Sequence, residues 1–373
     1  MIKEKLFLKY LKWQARPSRV RGHLNGKNLP GGDNCKDIDL KSIKAGAVQL
    51  RLTLCASPLE YVDLMSRWVE EAAGAGVQLL AFPENNSFHL LGLLPGFEKQ
   101  GGMAAGNDKE DRGGEGERER EDKGEGKGKG KDAAGDPPPL PLADVFRFVG
   151  PVFNSVVHQT FSYLAGHYGM YIMAGSFPYP QEGRVVNRSL LYGPGGELAG
   201  FQDKVHLMPV EHAGGLTGGE SFHVFPTPLG KLAMPVCMDA SYFETFRILR
   251  GAGVDIVMVP IFNPEPYNFW LALRGIWPRV QESLVYGIKS AMVGEVLGYS
   301  MTGRAGIFAP LELSPGGDGV LAELEDPRGE GLAAANLDLE ALHGLRAEHP
   351  YLEDQNPALM KKYFPGIYKS LSK

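Results

Sequence analysis

The sequence predicts a mixed α/β fold, and three stretches carry that prediction. "AGAVQLRLTL", "SPLEYVDLMSRWVEEAAGAG" and "VQLLAF" read in order as strand, helix and strand, the pattern of a parallel crossover. "KLAMPV", "SYFETFRILRGAG" and "VDIVMVP" repeat that order further along. Between them, "VVNRSLLYG" and "LAGFQDKVHL" flank the turn "PGGE" and read as an antiparallel hairpin. Crossovers and hairpins in one chain require mixed sheets.

Taken in order, the elements begin with the basic stretch "MIKEKLFLKYLKWQARPSRVRGH", which has no small-residue cleavage site. It spaces Ile2, Leu6, Tyr10 and Trp13 as one helical stripe, expected to pack on the parent domain or a partner rather than a membrane. The first crossover helix opens with Ser57 as N-cap, Pro58 at its first position and Glu60 completing a capping box, and closes at Gly74 and Gly76. From about Glu98 to Pro139 the chain is almost entirely Gly, Lys, Arg, Glu, Asp and Pro. Such a stretch buries too little apolar surface to offset its ordering entropy, and a disordered insertion is expected. Beyond it, "VFNSVVHQTFSYLAGHYG" reads as a helix and "MYIMAGS" as a strand. The second crossover helix carries Ser241 and Glu244 as another capping box. A helix from Asn268 to Tyr286 and the strand "GIKSAMVGEVL" follow, then the short strands "AGIFAPLEL", "GVLAELED" and "GLAAANLDL".

Composition excludes several classes. A chain of 373 residues that is 43% hydrophobic and 22% charged can bury a substantial core. A net charge of -5 and a pI near 6.0 provide no basic field, so no nucleic-acid partner is expected. No apolar run is long enough to span a bilayer, and no membrane partner is expected. Cys35, Cys55 and Cys237 form neither a disulfide framework nor a CxxC motif, which points to a reducing cytoplasm.

Three positions have the chemistry of a hydrolytic site. Cys237 ends an apolar strand just before a helical stretch, where free amides and the helix dipole would favour thiolate; the bland reading is a small buried core residue. Glu84 ends the strand "VQLLAFPE", where open α/β sheets bind ligands, and burial beside Phe82 and Leu79 would raise its pKa toward that of a working acid and base. Lys204 ends a hairpin strand and Glu211 follows in the same loop; a lysine aimed at Cys237 would donate to an oxyanion together with the Met238 amide. Otherwise it is a surface charge. His206, His212 and His223 lie near Glu211 and are the residue types of metal ligands or of a Cys–His peptidase base, but their spacing fits no tight zinc signature.

"FPE", "DKVHL" and "CMDASYFETFR" occur in the order and context that resemble the nitrilase or carbon–nitrogen hydrolase superfamily. The resemblance extends to "NRSLLYGPGGELAGFQDKVHL" and to "RVQES" around Glu282, and covers roughly 46–345. It implies a hydrolase domain at 46–345 interrupted at about 98–140, an N-terminal extension at 1–45 and a C-terminal tail at 346–373. It also implies an αββα four-layer sandwich, a Glu–Lys–Cys triad of Glu84, Lys204 and Cys237, and Glu211 as a second glutamate. The activity it implies is hydrolysis of a small-molecule amide, carbamoyl amide or nitrile through a thioester, with no metal or cofactor, in a homodimer or larger homo-oligomer. Asp239, Glu244 and Arg247 keep the family pattern, whereas Met238, Ser241 and Phe243 depart from it. Met238, Asp239 and Ser241, just after the nucleophile, are expected to line the pocket with Phe262, whose loop with the one after Glu84 is aromatic enough for an apolar acyl group. The alternative is a relative that keeps the fold as a non-catalytic binding module.

Overall fold

The computed structural model describes residues 2–97, 142–273, 275–296, 299–349 and 356–371, so the charged insertion lies outside the described residues. Two helices open the chain, α1 (Ile2–Gln14) and α2 (Pro17–Asn25). Strand β1 (Ile43–Arg51), helix α3 (Pro58–Gly74) and strand β2 (Leu79–Ala81) form the first crossover. Helix α4 (Leu142–Tyr168) leads into β3 (Tyr171–Gln181), the hairpin of β4 (Arg184–Tyr192) and β5 (Leu198–Asp203), and the short helix α5 (Pro209–Ala213). Next come β6 (Phe225–Thr227), β7 (Gly230–Ala233), helix α6 (Phe243–Gly251) and β8 (Ile256–Phe262). Helices α7 (Phe269–Leu273) and α8 (Ile276–Ser283) precede β9 (Tyr286–Val296). Strands β10 (Tyr299–Met301), β11 (Gly306–Phe308), β12 (Val320–Glu323) and β13 (Gly331–Leu337), then helices α9 (Leu339–Glu348) and α10 (Pro357–Leu371), complete it.

The main path of strands runs β5-β4-β3-β2-β1-β9-β8-β7-β6. Side chains alternate between faces along each strand, and that period of two sorts the apolar residues into three cores. On one half, Leu80, Phe82 and Ile172 face α3 and α4, where Trp68, Phe153 and Phe161 are buried. Leu79, Ala81 and Met173 point the other way and meet Met234, Ile256 and Met258 of the second half in a central core. Val257 and Val259 of that half face Phe246 of α6 and Val280 of α8. Helix, sheet, sheet and helix are therefore stacked as four layers, the αββα arrangement that the resemblance implies.

Strand direction positions the site. β1 pairs parallel with β2 and β9, β2 with β3, and β9 with β8, which is parallel to β7. β4 is antiparallel to β3 and β5 antiparallel to β4, so β5 again points with β3. The C-terminal ends of β2, β5, β7 and β8 consequently open at one end of the sandwich, where α/β sheets place ligands.

Ser57 caps α3 as expected: its hydroxyl accepts the Glu60 amide at 3.2 Å, and the Glu60 carboxylate accepts the Ala56 amide at 2.7 Å. α1 forms, with Leu11 and, just beyond it, Ala15 buried, while Leu6, Tyr10 and Trp13 are exposed on this chain, and Arg16 and Arg19 lie over the Trp13 ring. Two local expectations are corrected. The single helix expected over Asn268–Tyr286 is divided into α7 and α8, because Pro278 cannot accept a place in a helix interior and needs a first turn of its own. Ser241 and Glu244 form no capping box: α6 starts at Phe243 with Tyr242 as N-cap, and Glu244 accepts the Tyr368 hydroxyl.

Candidate active site

Glu84 follows β2 through Phe82 and Pro83 and forms a lone parallel bridge with Ser176 of β3. That approach depends on Gly175, whose φ is 75° and where a Cβ would stand 1.9 Å from the Pro83 carbonyl oxygen. Lys204 follows β5, and its amide donates to the Asn187 carbonyl at 2.8 Å. Both side chains are buried, Lys204 at 1% and Glu84 at 2% exposure. The Lys204 ammonium lies 2.9 Å from Glu84 Oε1 and 2.8 Å from Glu211 Oε2. Glu211, on α5, also accepts the Met208 amide at 2.8 Å.

Cys237 stands in the turn beyond β7, at the first residue of a 3-10 segment, Cys237–Ser241. Its φ of 46° is left-handed, a conformation that costs a non-glycine residue about 1–3 kcal/mol and that accumulates at functional sites. Asn85, directly after Glu84, is also left-handed at 60°. The Cys237 thiol is electrostatically coupled to the Glu84 carboxylate, to the Lys204 ammonium and to the backbone of Phe262. The structure thus brings Cys237, Glu84, Lys204 and Glu211 into one cluster.

Burial raises the Glu84 pKa above the ordinary carboxylate value, with the Lys204 charge working against the rise. Burial also raises that of the Cys237 thiol, and the neighbouring Glu84 charge adds to it. Sequence position predicted an easy thiolate at a helix start; in the structure α6 begins six residues later and burial pushes the Cys237 thiol up instead. Burial opposes the Lys204 charge, but the Glu84 and Glu211 carboxylates outweigh it and hold its pKa well above the ordinary lysine value.

The residues expected to line a pocket divide. Met238 and Ser241, in the same segment as Cys237, are half-buried, and Phe262, whose ring lies 6.0 Å from that of Phe88, couples through its backbone to Cys237. Asp239 is corrected: it is 0% exposed, and its carboxylate accepts the amides of Val236 at 2.9 Å, His206 at 2.7 Å and Val205 at 3.2 Å. It ties the turn of Cys237 to the loop of Lys204 and has no free face for a substrate. The histidines disperse. His206 bonds Asp239 through Nδ1 at 2.9 Å and stacks on Tyr242, His212 is exposed, and His223 contacts Ser221 and the Phe201 carbonyl.

Sequence reasoning missed Asn187. Its side-chain Nδ2 donates to Glu84 Oε1 at 2.8 Å and Glu211 Oε1 at 3.1 Å. The available signal was a lone amide side chain within the strand "VVNRSLLYG".

The profile of the family described as Carbon-nitrogen hydrolase matches residues 44–347. The probable hydrolase YhcX of Bacillus subtilis is 28% identical over 194 residues, 50% of this chain and 37% of that protein, so the match spans little more than a third of that relative. Omega-amidase NIT2 of Xenopus tropicalis is 28% identical over 204 residues, 52% of this chain and 70% of the relative. Among solved structures, a mutant amidase from Nesterenkonia sp. AN1, with the acetamide moiety of fluoroacetamide added covalently at its active-site cysteine, aligns with a TM-score of 0.59 at 17% identity, covering 87% of this chain and 98% of that one. Saccharomyces cerevisiae Nit3, a member of branch 10 of the nitrilase superfamily, aligns at 0.56 and 18% identity, covering 84% and 97%. These structural likenesses speak for the fold alone. The match from residue 44 to 347 takes in most of the chain, and the protein belongs to the carbon–nitrogen hydrolase family.

Proposed function

We propose that the protein hydrolyses the C–N bond of a small-molecule amide through a thioester on Cys237. The observation that carries this reading is the Lys204 ammonium, 2.9 Å from Glu84 and 2.8 Å from Glu211, with a left-handed cysteine coupled electrostatically to both Lys204 and Glu84. Glu84 takes the thiol proton as sulfur attacks the carbonyl carbon. An ammonium has three donors; two serve Glu84 and Glu211, and the third serves the oxyanion with the Met238 amide, which lies in a first turn where amides lack intrahelical acceptors. Glu84 returns the proton to the departing nitrogen, and ammonia or an amine leaves. Glu84 then deprotonates a water aligned by Glu211; its attack breaks the thioester, releases a carboxylic acid and restores the thiol. The rings of Phe88, shortly after Glu84, and Phe262, at the end of β8, are paired 6.0 Å apart and favour an apolar or aromatic acyl group.

The amidase relatives support an amide over a nitrile substrate. The three cysteines are free thiols, in keeping with a reducing compartment such as the cytoplasm. A second copy of the chain is proposed to cover apolar side chains left exposed on α6 and α7, among them Ile248 and Trp270. Light scattering of the purified protein tests that directly. For the activity, ammonia release is to be screened over aliphatic and aromatic amides, N-carbamoyl compounds and nitriles, comparing wild type with Cys237→Ala. Turnover of an amide that vanishes in Cys237→Ala, with an acyl adduct on Cys237 by mass spectrometry, is the expected result. Turnover surviving in Cys237→Ala overturns the mechanism. A folded protein that turns over nothing, and whose Cys237 resists alkylation, is instead a binding module.

A further inference from the structure

Asn187 takes no step in the reaction above, yet it touches two of the groups that do. Its side chain is almost wholly buried in β4. Nδ2 donates to Glu84 Oε1 at 2.8 Å and to Glu211 Oε1 at 3.1 Å, while its main-chain carbonyl holds the Lys204 amide at 2.8 Å. Oδ1 is buried without a partner among the described residues. Both neighbours of the side chain are carboxylates, which accept, so the amide is oriented with its NH2 toward them. A polar group placed for shape alone has no reason to leave its oxygen unsatisfied at such a cost; the donors are what the position needs.

Charge explains why. With both carboxylates ionised, Glu84, Glu211 and Lys204 would carry one net negative charge in a site from which water is largely excluded. Two carboxylates sharing a site push one another to retain a proton, and a single ammonium offsets only part of that repulsion. A neutral donor bridging both oxygens stabilises the second charge without adding another ion to bury. We propose that Asn187 is a positioning residue that holds Glu84 as an ionised carboxylate beside Lys204 and Glu211, so that Glu84 begins each turnover as a base. This inference rests on the acyl-enzyme reading and specifies how that site is tuned.

The test compares Asn187→Ala and Asn187→Asp. Aspartate nearly matches asparagine in shape, but when ionised it donates nothing and sets a third carboxylate against the other two. A donor role therefore ranks wild type above Ala and Ala above Asp, whereas a packing role places Asp beside wild type. Two readouts are followed against pH: kcat/KM for the best amide, and the rate at which iodoacetamide alkylates Cys237. In Asn187→Ala the acidic limb of both profiles is expected to move up by about one pH unit, a roughly tenfold loss below the limb, with the plateau little changed. Asn187→Asp is expected to move further. Limbs that stay in place in the alanine variant, or an aspartate variant that tracks wild type, overturn the proposal. If Asn187→Asp does not fold, as judged by near-UV circular dichroism, the alanine variant decides alone. Failure of the underlying reading is visible separately, as amide turnover that persists in Cys237→Ala, and the alkylation profile needs no substrate.

Discussion

Lys204 is a buried cation between two carboxylates, and its removal has consequences for stability as well as rate. With Lys204→Met, Glu84 and Glu211 lose their shared counterion. Breaking a buried pair from one side leaves uncompensated charge, so unfolding free energy near pH 8 is expected to fall by about 3–5 kcal/mol. The deficit should shrink in acid, where one carboxyl accepts a proton; urea denaturation at two pH values checks both statements. Amide turnover should fall at least 100-fold, the order of losing one oxyanion donor. Glu84 sets a second expectation at this scale. In the proposed mechanism its carboxylate is the active form, and burial raises its pKa from the ordinary 4.5. Activity must therefore rise with pH through a limb lying above the usual carboxylate range, and Glu84→Gln should abolish it by roughly 100- to 10,000-fold. A kcat/KM profile whose acidic limb sits at or below 4.5 contradicts the assignment of Glu84 as base.

At the scale of elements, the site depends on how closely strand ends approach. Gly175 in β3 admits the Pro83 carbonyl where a Cβ would stand 1.9 Å away. Gly175→Ala combines that clash with a φ of 75°, so a loss of at least about 2 kcal/mol is expected. Because the atom displaced belongs to the residue before Glu84, kcat should fall by more than the folded fraction does. Equal losses in kcat and folded fraction would assign Gly175 to stability alone. The same geometry explains what was legible beforehand. Glu84, Lys204 and Cys237 each stand where a strand stops, and alternation of strands and helices places such ends together. Asn187 was invisible because it sits inside a strand, and only register shows that it reaches two glutamates across the site. Asp239 was misassigned because adjacency to Cys237 does not say which way a 3-10 turn aims its side chains. Periodicity likewise found the stripe of Leu6, Tyr10 and Trp13, which α1 leaves exposed on this chain.

For the whole molecule, three apolar cores supply the stability, and one of the buried polar groups packed beside Tyr61 makes that stability depend on pH. His89 is fully buried, with Nδ1 2.8 Å from the Thr53 carbonyl and 3.1 Å from the Thr53 amide. Nε2 is buried without a partner among the described residues, so an imidazolium there would have a donor with nothing to accept it. Burial accordingly lowers its pKa from 6.5 to about 4. The unfolded chain binds this proton below pH 6.5 and the folded chain only near pH 4, so the stability His89 provides is complete above 6.5 and is lost as pH falls toward 4. The loss should reach about 3 kcal/mol across that window, at a slope no steeper than about 1.4 kcal/mol per pH unit for this one group. His158, also lowered by burial, acts in the same direction. Asp63 and Asp255, lowered from 3.8, add their losses only in stronger acid. Urea unfolding at intervals from pH 7 to pH 4 should show the decline in wild type. In His89→Phe the curve should start lower, because the Thr53 bonds are gone, and be flatter by about 3 kcal/mol over the same range. An unchanged slope in His89→Phe would show that the folded protein admits the proton at His89 at no cost.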